Sequence, residues 1–247
     1  FFEEIAKFRA ARRIWAKQLR YKYGAKNKKS WKLRFHTQTA GCSLTAQQPE
    51  NNISRTAFQA LAGVLGGTQS LHTNSMDETL ALPTEKASEI ALRTQQLIAF
   101  ETGVSNVVDP LGGSWYVENL TDKIEKKAMQ YFKEIDEIGG VIPSIEKGYF
   151  QTEISRSASV FQKQIDNGKR IVVGVNAFNK TDEEIEIPIL KISQEIAGQQ
   201  ITNLNKLKKS RNQIKVQDSL DEIRLACKTN KNLMEPIIKA SKEYATL

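Results

Sequence analysis

Two stretches of this chain repeat one arrangement, a few residues of strand character followed by a histidine within a dense polar run. The first is Arg34-Phe35-His36-Thr37-Gln38-Thr39-Ala40-Gly41. The second is Gly66-Gly67-Thr68-Gln69-Ser70-Leu71-His72-Thr73-Asn74, closing on Asp77 and Glu78. Trp31 to Phe35 and Thr68 to Leu71 read as short strands, and each polar run leads into helical spacing. Ile53, Ala57, Leu61 and Leu65 share one helix face, with Asn52 or Ser54 as its cap and Gly66-Gly67 as its end. Ile90, Ala91, Thr94, Leu97 and Ile98 share another, on a helix from about Glu85 to Phe100. A third strand is expected at 105–108, before Asp109-Pro110. Strand, polar loop and helix in this order imply a parallel α/β sheet, in which the loops after the strands build the site. A closed barrel needs eight strands and typically about 250 residues, whereas about three units fit here before residue 115. The sheet is therefore small and open, or it is part of a barrel that other residues complete.

The flanking segments are helical. Phe1, Ile5, Phe8, Trp15 and Leu19 mark an amphipathic helix over 1–22, followed by a basic loop at Lys26 to Lys29. A helix from Leu120 to Ile138 should stop at Gly139-Gly140, where glycine accepts the left-handed conformation of a C-cap. Shorter helices are expected over 143–147 and 149–167, and a late strand over Arg170 to Val175. Residues 179–193 read as a linker, and 195–242 as surface helices with a lysine-rich face.

Charge separates the same regions. Residues 1–34 hold twelve Lys/Arg and two Glu, residues 35–199 fourteen bases and 21 acids, and residues 200–247 ten bases and five acids. Basic ends suit an anionic ligand, such as a phosphorylated cofactor, or are simply solvated helix faces. Nucleic acid is not expected as a partner, because interleaved surface aromatics and a recognisable motif are both missing. No apolar run approaches the roughly 18 residues of a membrane span, so no membrane partner is expected. The opening FFEEIAKFRAARR places acids before bases without a small-residue cleavage site, unlike a signal peptide. Two cysteines are too few for a disulfide framework or a zinc site, and no metal ligand set is expected. A reducing compartment fits, the cytoplasm or, in a eukaryote, the mitochondrial matrix.

Chemistry concentrates after the strands. His36 and His72 can each donate to a carbonyl or exchange a proton, or simply hold a loop. Gln38 and Gln69 can orient an amide, a hydroxyl or a thioester carbonyl without adding charge. Asn74 and Glu78 stand four apart and would share a face if the loop turned helical, suiting the two hydroxyls of a ribose. The plainer reading of Glu78 is an acid in the first turn of a helix. There is no G-x-S-x-G, P-loop or G-x-G-x-x-G.

The strings RFHTQTAGCSLTAQQPENN, GGTQSLHTNSMDETLALPTEKASEIALRTQQ and VVDPLGGSWYVE closely resemble the large-subunit barrel of the methylmalonyl-CoA mutase family. IVVGVNAF resembles the segment that ends that barrel. The resemblance covers roughly residues 1–178 and only weakly the helical tail at 179–247. It implies the last strands and helices of a (β/α)8 TIM barrel followed by a mainly helical extension. It also implies an adenosylcobalamin-dependent radical isomerisation of a short branched acyl-CoA, such as methylmalonyl-CoA to succinyl-CoA. By motif position, Arg34 resembles a CoA-contacting arginine. His36 and Gln38 resemble the catalytic pair at the thioester and substrate. Gln69 resembles a residue lining the adenosyl side, and Asn74 and Glu78 the pair that holds the adenosyl ribose.

The family's first barrel strands, Tyr-His pair and main acyl-recognition residues precede anything in this sequence. Its D-x-H-x-x-G cobalt-ligating motif is missing as well. The chain thus resembles the C-terminal half of a large subunit, catalytic only when completed by the N-terminal part of the barrel and by a cobalamin-binding domain or small subunit. A non-catalytic assembly subunit is the alternative from a different class. Isobutyryl- and 2-hydroxyisobutyryl-CoA mutases share these loops, so the acyl group stays open.

Overall fold

The computed structural model describes residues 1–180 and 187–246. Part of the expected linker over 179–193 therefore lies outside the described residues. The chain divides into two compact units, Phe1–Leu190 and Lys191–Leu247.

The first unit is mostly helical around a small parallel sheet. Helix α1 runs Phe2–Lys17, and a π-helical turn carries it through Lys22. Its buried positions Ile5, Ala6, Ala10 and Ile14 follow helical spacing. Strand β1 is His36–Gln38, α2 is Asn51–Leu65, β2 is Ser70–His72 and α3 is Glu85–Phe100. β1 and β2 pair in parallel, with His36 opposite Ser70, Thr37 opposite Leu71 and Gln38 opposite His72. Helix α2 connects them, as a parallel pair requires. It packs on the Thr37–Leu71 side so closely that a Cβ on Gly63 would stand 3.2 Å from Thr37 Cγ2. Strand alternation then leaves His36, Gln38, Ser70 and His72 on the opposite face, all exposed. Helix α4, Trp115–Ile138, lies against α1, and α5 (Val141–Glu146) and α6 (Tyr149–Asp166) follow.

Sequence and structure part at four places. The strand expected at 31–35 begins only at His36, because Trp31 closes a 3-10 turn instead. The Trp31 indole donates to Ala25 O at 2.7 Å and Arg20 stacks on its ring. Residues 105–108 form no strand: Gly103, at a φ of 73°, opens a 3-10 turn over Val104–Asn106, and Val108 is 97% exposed. The late strand at 170–175 reduces to one bridge between Val173 and Ala177. Asn52 does not cap α2; it lies inside the first turn, fully buried, with a task described below. Gly139 does end α4 in the left-handed conformation, at a φ of 115°.

The basic stretch at the start of the chain has acids of its own. Arg9 meets Asp109 and Glu118, Arg13 meets Asp122 at 2.5 Å and Glu125 at 3.0 Å, and Lys17 meets Glu125 at 2.5 Å. Lys22 reaches Asp136 at 3.6 Å. These pairs join α1 and its π-helical turn to α4 and the turn before it. Arg12 donates to Gly66 O at the end of α2, and burial pushes its pKa down from the ordinary value. The seam pairs four of the twelve bases of residues 1–34 with acids of this chain.

The second unit holds α7 (Gln194–Ser210), α8 (Gln213–Cys227) and α9 (Met234–Lys242). Ser193 and Asn212 cap α7 and α8 with side-chain oxygens. Val216, Ser219, Ala226 and Ala240 are buried in this unit, and Lys239 meets Glu222 at 2.5 Å. Among the described residues no helix is long and apolar enough to cross a membrane.

Candidate functional site

The polar loops after β1 and β2 are held together from below. Asn52 Nδ2 donates to Thr45 O at 2.8 Å and to Met76 O at 2.9 Å, one acceptor in each loop. Its Oδ1 accepts Thr45 N at 3.1 Å and Arg55 Nη1 at 2.7 Å. Arg55 Nη2 then reaches Val173 O at 2.7 Å, tying in the 170–178 turn. An amide that uses both ends inside the protein is a structural clamp, and its satisfied bonds keep two long polar loops in one arrangement.

On the open face, His36 Nδ1 lies 2.7 Å from Ser70 Oγ. That bond orients the ring and leaves Nε2 free for a ligand, as donor or acceptor according to the tautomer. Gln38 is exposed further along β1, and the cavity of about 500 Å³ that it lines lies toward the helices, with Phe8 of α1 and Phe58 and Gln59 of α2. Arg34, just before β1, is exposed and makes no hydrogen bond or ion pair among the described residues. Gln69 is differently placed. Its Oε1 accepts Phe35 N at 2.8 Å and its Nε2 donates to Gly67 O at 2.8 Å, so both ends of its amide are engaged by backbone.

Asn74 and Glu78 converge, though not on a helix. Residues 76–80 form successive turns, with Glu78 N donating to Ser75 O at 3.3 Å and Leu80 N to Asp77 O at 2.9 Å. The next helix, α3, begins only at Glu85, so Glu78 has no helix start to stabilise. Instead Asn74 Nδ2 and Glu78 Oε1 close on Gly41 from the other loop: each would lie 2.9 Å from a Cβ built there. Asn74 is 2% exposed, and its Nδ2 has no partner among the described residues. A buried unpaired donor costs about 1–3 kcal/mol, and this one stands beside the Glu78 carboxylate. An unpaired N–H beside a carboxylate oxygen offers one donor and one acceptor, the complement of a hydroxyl-bearing group such as a ribose.

Three residues absent from the sequence-based set help build this niche. Thr39 Oγ1 accepts Asn74 N at 2.9 Å and donates to Asn74 Oδ1 at 2.7 Å. Gly41 lets Asn74 and Glu78 approach the β1 loop closely. Asp77, 1% exposed, anchors the turn: its Oδ2 accepts Thr84 N at 2.9 Å and Thr84 Oγ1 at 3.1 Å, and Thr84 caps α3. No spacing rule marks these residues, because Thr39 and Asn74 meet across 35 positions of chain. His72 and Glu78 line a further cavity of about 210 Å³ with Thr73, Ser75 and Gln95. Among the described residues no group of three or more His, Cys, Asp or Glu is arranged to hold a metal ion.

The family model described as Methylmalonyl-CoA mutase matches residues 1–247. Along its whole length the chain is 46% identical to the 2-hydroxyisobutanoyl-CoA mutase large subunit of Aquincola tertiaricarbonis, of which it covers 44%. It is 45% identical to a probable mitochondrial methylmalonyl-CoA mutase of Caenorhabditis elegans, covering 33% of that protein. It is 42% identical to the methylmalonyl-CoA mutase of Escherichia coli K12, covering 34%. The chain thus spans between a third and just under half the length of these relatives. With a match that leaves no residue of the chain outside it, this protein belongs to the methylmalonyl-CoA mutase family.

Proposed function

We propose that this chain is part of the catalytic large subunit of an adenosylcobalamin-dependent acyl-CoA mutase. Residues 1–178 supply strands and helices of a TIM barrel, and 179–247 a linker and helical tail. The observation that carries the reading is the niche at Gly41, where a buried donor and a carboxylate wait on the functional side of a parallel strand pair. The bare face and free edges of β1 and β2 suit a sheet continued by the remainder of a longer protein. The family is cobalamin-dependent, and a cobalamin-binding domain or small subunit is the partner this reading requires. The reading places the protein in the cytoplasm, or in the mitochondrial matrix of a eukaryote.

The residues fit an adenosyl group: Asn74 and Glu78 would hold its ribose hydroxyls, and adenosylcobalamin when bound supplies the radical chemistry of the isomerisation. The chain's own residues then bind and orient. Arg34, an unpaired surface cation, receives an anionic part of coenzyme A. His36, fixed by Ser70, presents Nε2 toward the thioester, and Gln38 orients the same carbonyl without adding charge. Gln69 shapes the adenosyl side by holding the backbone at Phe35 and Gly67. The substrate is a short branched acyl-CoA such as methylmalonyl-CoA. The relative that acts on 2-hydroxyisobutanoyl-CoA makes that ester the second reading.

The test is Gln38→Ala in the full-length subunit assembled with its cobalamin partner. An interaction used mainly during rearrangement appears in kcat, so kcat is expected to fall about tenfold or more with little change in KM. A raised KM at unchanged kcat would reduce Gln38 to a binding residue.

A further inference from the structure

The two residues of the β1 loop that meet the Asn74–Glu78 pair have no role in the reading above. Thr39 is 4% exposed, and its hydroxyl is used twice. Because Oγ1 accepts the Asn74 backbone N–H at 2.9 Å, its single proton is left to donate, and it goes to Asn74 Oδ1 at 2.7 Å. That choice fixes which way the Asn74 amide points. With Oδ1 held by Thr39, Nδ2 must face the niche, beside Glu78 Oε1. A flipped amide would present a second acceptor next to the carboxylate and could not serve a ligand needing one donor and one acceptor. Gly41, two residues later, has no Cβ to hold Asn74 and Glu78 away from the β1 loop. Its φ is not in the left-handed region, so glycine is required there by the 2.9 Å approaches rather than by the backbone.

We infer that Thr39 and Gly41 are positioning residues for the adenosyl group, Thr39 by locking the Asn74 amide with its donor toward Glu78 and Gly41 by letting Asn74 and Glu78 close in on the β1 loop. The inference rests on the ribose reading of Asn74 and Glu78. The loop after one strand thereby sets the ligand preference of the loop after the next.

The experiment measures Kd for adenosylcobalamin and for methylcobalamin, which lacks the adenosyl group and its ribose, in the full-length subunit with its cobalamin partner. The ratio of the two is the readout, because a merely structural defect weakens both alike. Thr39→Val keeps the shape and removes the hydroxyl. It is expected to lower the preference for adenosylcobalamin roughly two- to tenfold, the worth of one hydrogen bond, and Thr39→Ser is expected to restore it. Equal weakening of both cobalamins by Thr39→Val, or a preference lost in Thr39→Ser, would overturn the lock. Gly41→Ala leaves the Thr39 bonds in place and decides the matter should Thr39→Val fold poorly. It too should lower the ratio, and an unchanged ratio contradicts the inference. Asn74→Asp and Glu78→Gln test the ribose reading separately. If neither changes the ratio, that reading fails; if both do and the Thr39 variants do not, only the positioning role fails.

Discussion

Along the seam between α1 and α4, Arg9, Arg13 and Lys17 each meet at least one carboxylate, whereas in the loop after β2 three buried polar atoms meet nothing. Among the described residues five buried side-chain polar atoms lack a partner, and Asn74 Nδ2, Ser75 Oγ and Asp77 Oδ1 fall within four consecutive residues. The other two are the Nε atoms of Arg9, whose two terminal nitrogens are engaged, and of Arg211, whose Nη1 is. The contrast separates two uses of polar side chains. The seam spends its charges on holding helices together. The loop leaves polar atoms unpaired at a cost of about 1–3 kcal/mol each.

The comparison breaks most visibly at the clamp beneath the loops. Asn52→Ala would leave Met76 O and both backbone groups of Thr45 without their partner and is expected to cost about 2–4 kcal/mol, with a large drop in Tm. If melting is unchanged, the loops are held by something other than Asn52. The seam should respond less. Arg9→Met removes two ion pairs whose acids are half-exposed, for about 1 kcal/mol, and the loss should shrink in high salt. A salt-independent loss would point to packing of the Arg9 stem instead.

The smallest effect sharpens the comparison at a part-buried pair. Tyr149 donates to Glu134 at 2.5 Å. This bond pushes the Tyr149 hydroxyl up to about 12 and, with a second bond from Gln130, holds Glu134 below the ordinary carboxylate value. The raised tyrosine contributes stability below pH 10 that is lost as pH rises toward 12. The depressed carboxylate contributes above its ordinary value near 4.5 and loses that contribution as pH falls through its folded value. The Tm difference between the protein and Tyr149→Phe should therefore be small, flat near neutrality, and narrower at both extremes. A difference that grew on acidification would refute the assignment.

The β1–α2–β2–α3 unit was legible because periodicity and polar loops are local signals. Strand position was less so. Trp31, Leu33 and Phe35 alternate with Lys32 and Arg34 as a strand would, yet they serve packing: Trp31 bonds Ala25 O and Phe35 stacks on Phe8 at 5.0 Å. Val107 and Val108 looked like strand residues, but Gly103 turns the chain just before them. Asn74 and Glu78 could be paired from spacing alone, though by a helix that does not form. Thr39 and Gly41 could not be singled out, since their role exists only where two loops meet. The basic opening of the chain could not be matched with its acids either, because Arg9 and Glu118 stand 109 residues apart.

The central claim is that Glu78 is held in reserve for a ligand rather than for the fold. The direct measurement is turnover beside a melting curve for Glu78→Gln in the assembled enzyme, a change that keeps shape and removes charge. Charge-assisted hydrogen bonds are roughly twice as strong as neutral ones, so turnover is expected to fall about tenfold or more while Tm and acyl-CoA affinity stay unchanged. Unchanged turnover with a lowered Tm would contradict the account and return Glu78 to the fold.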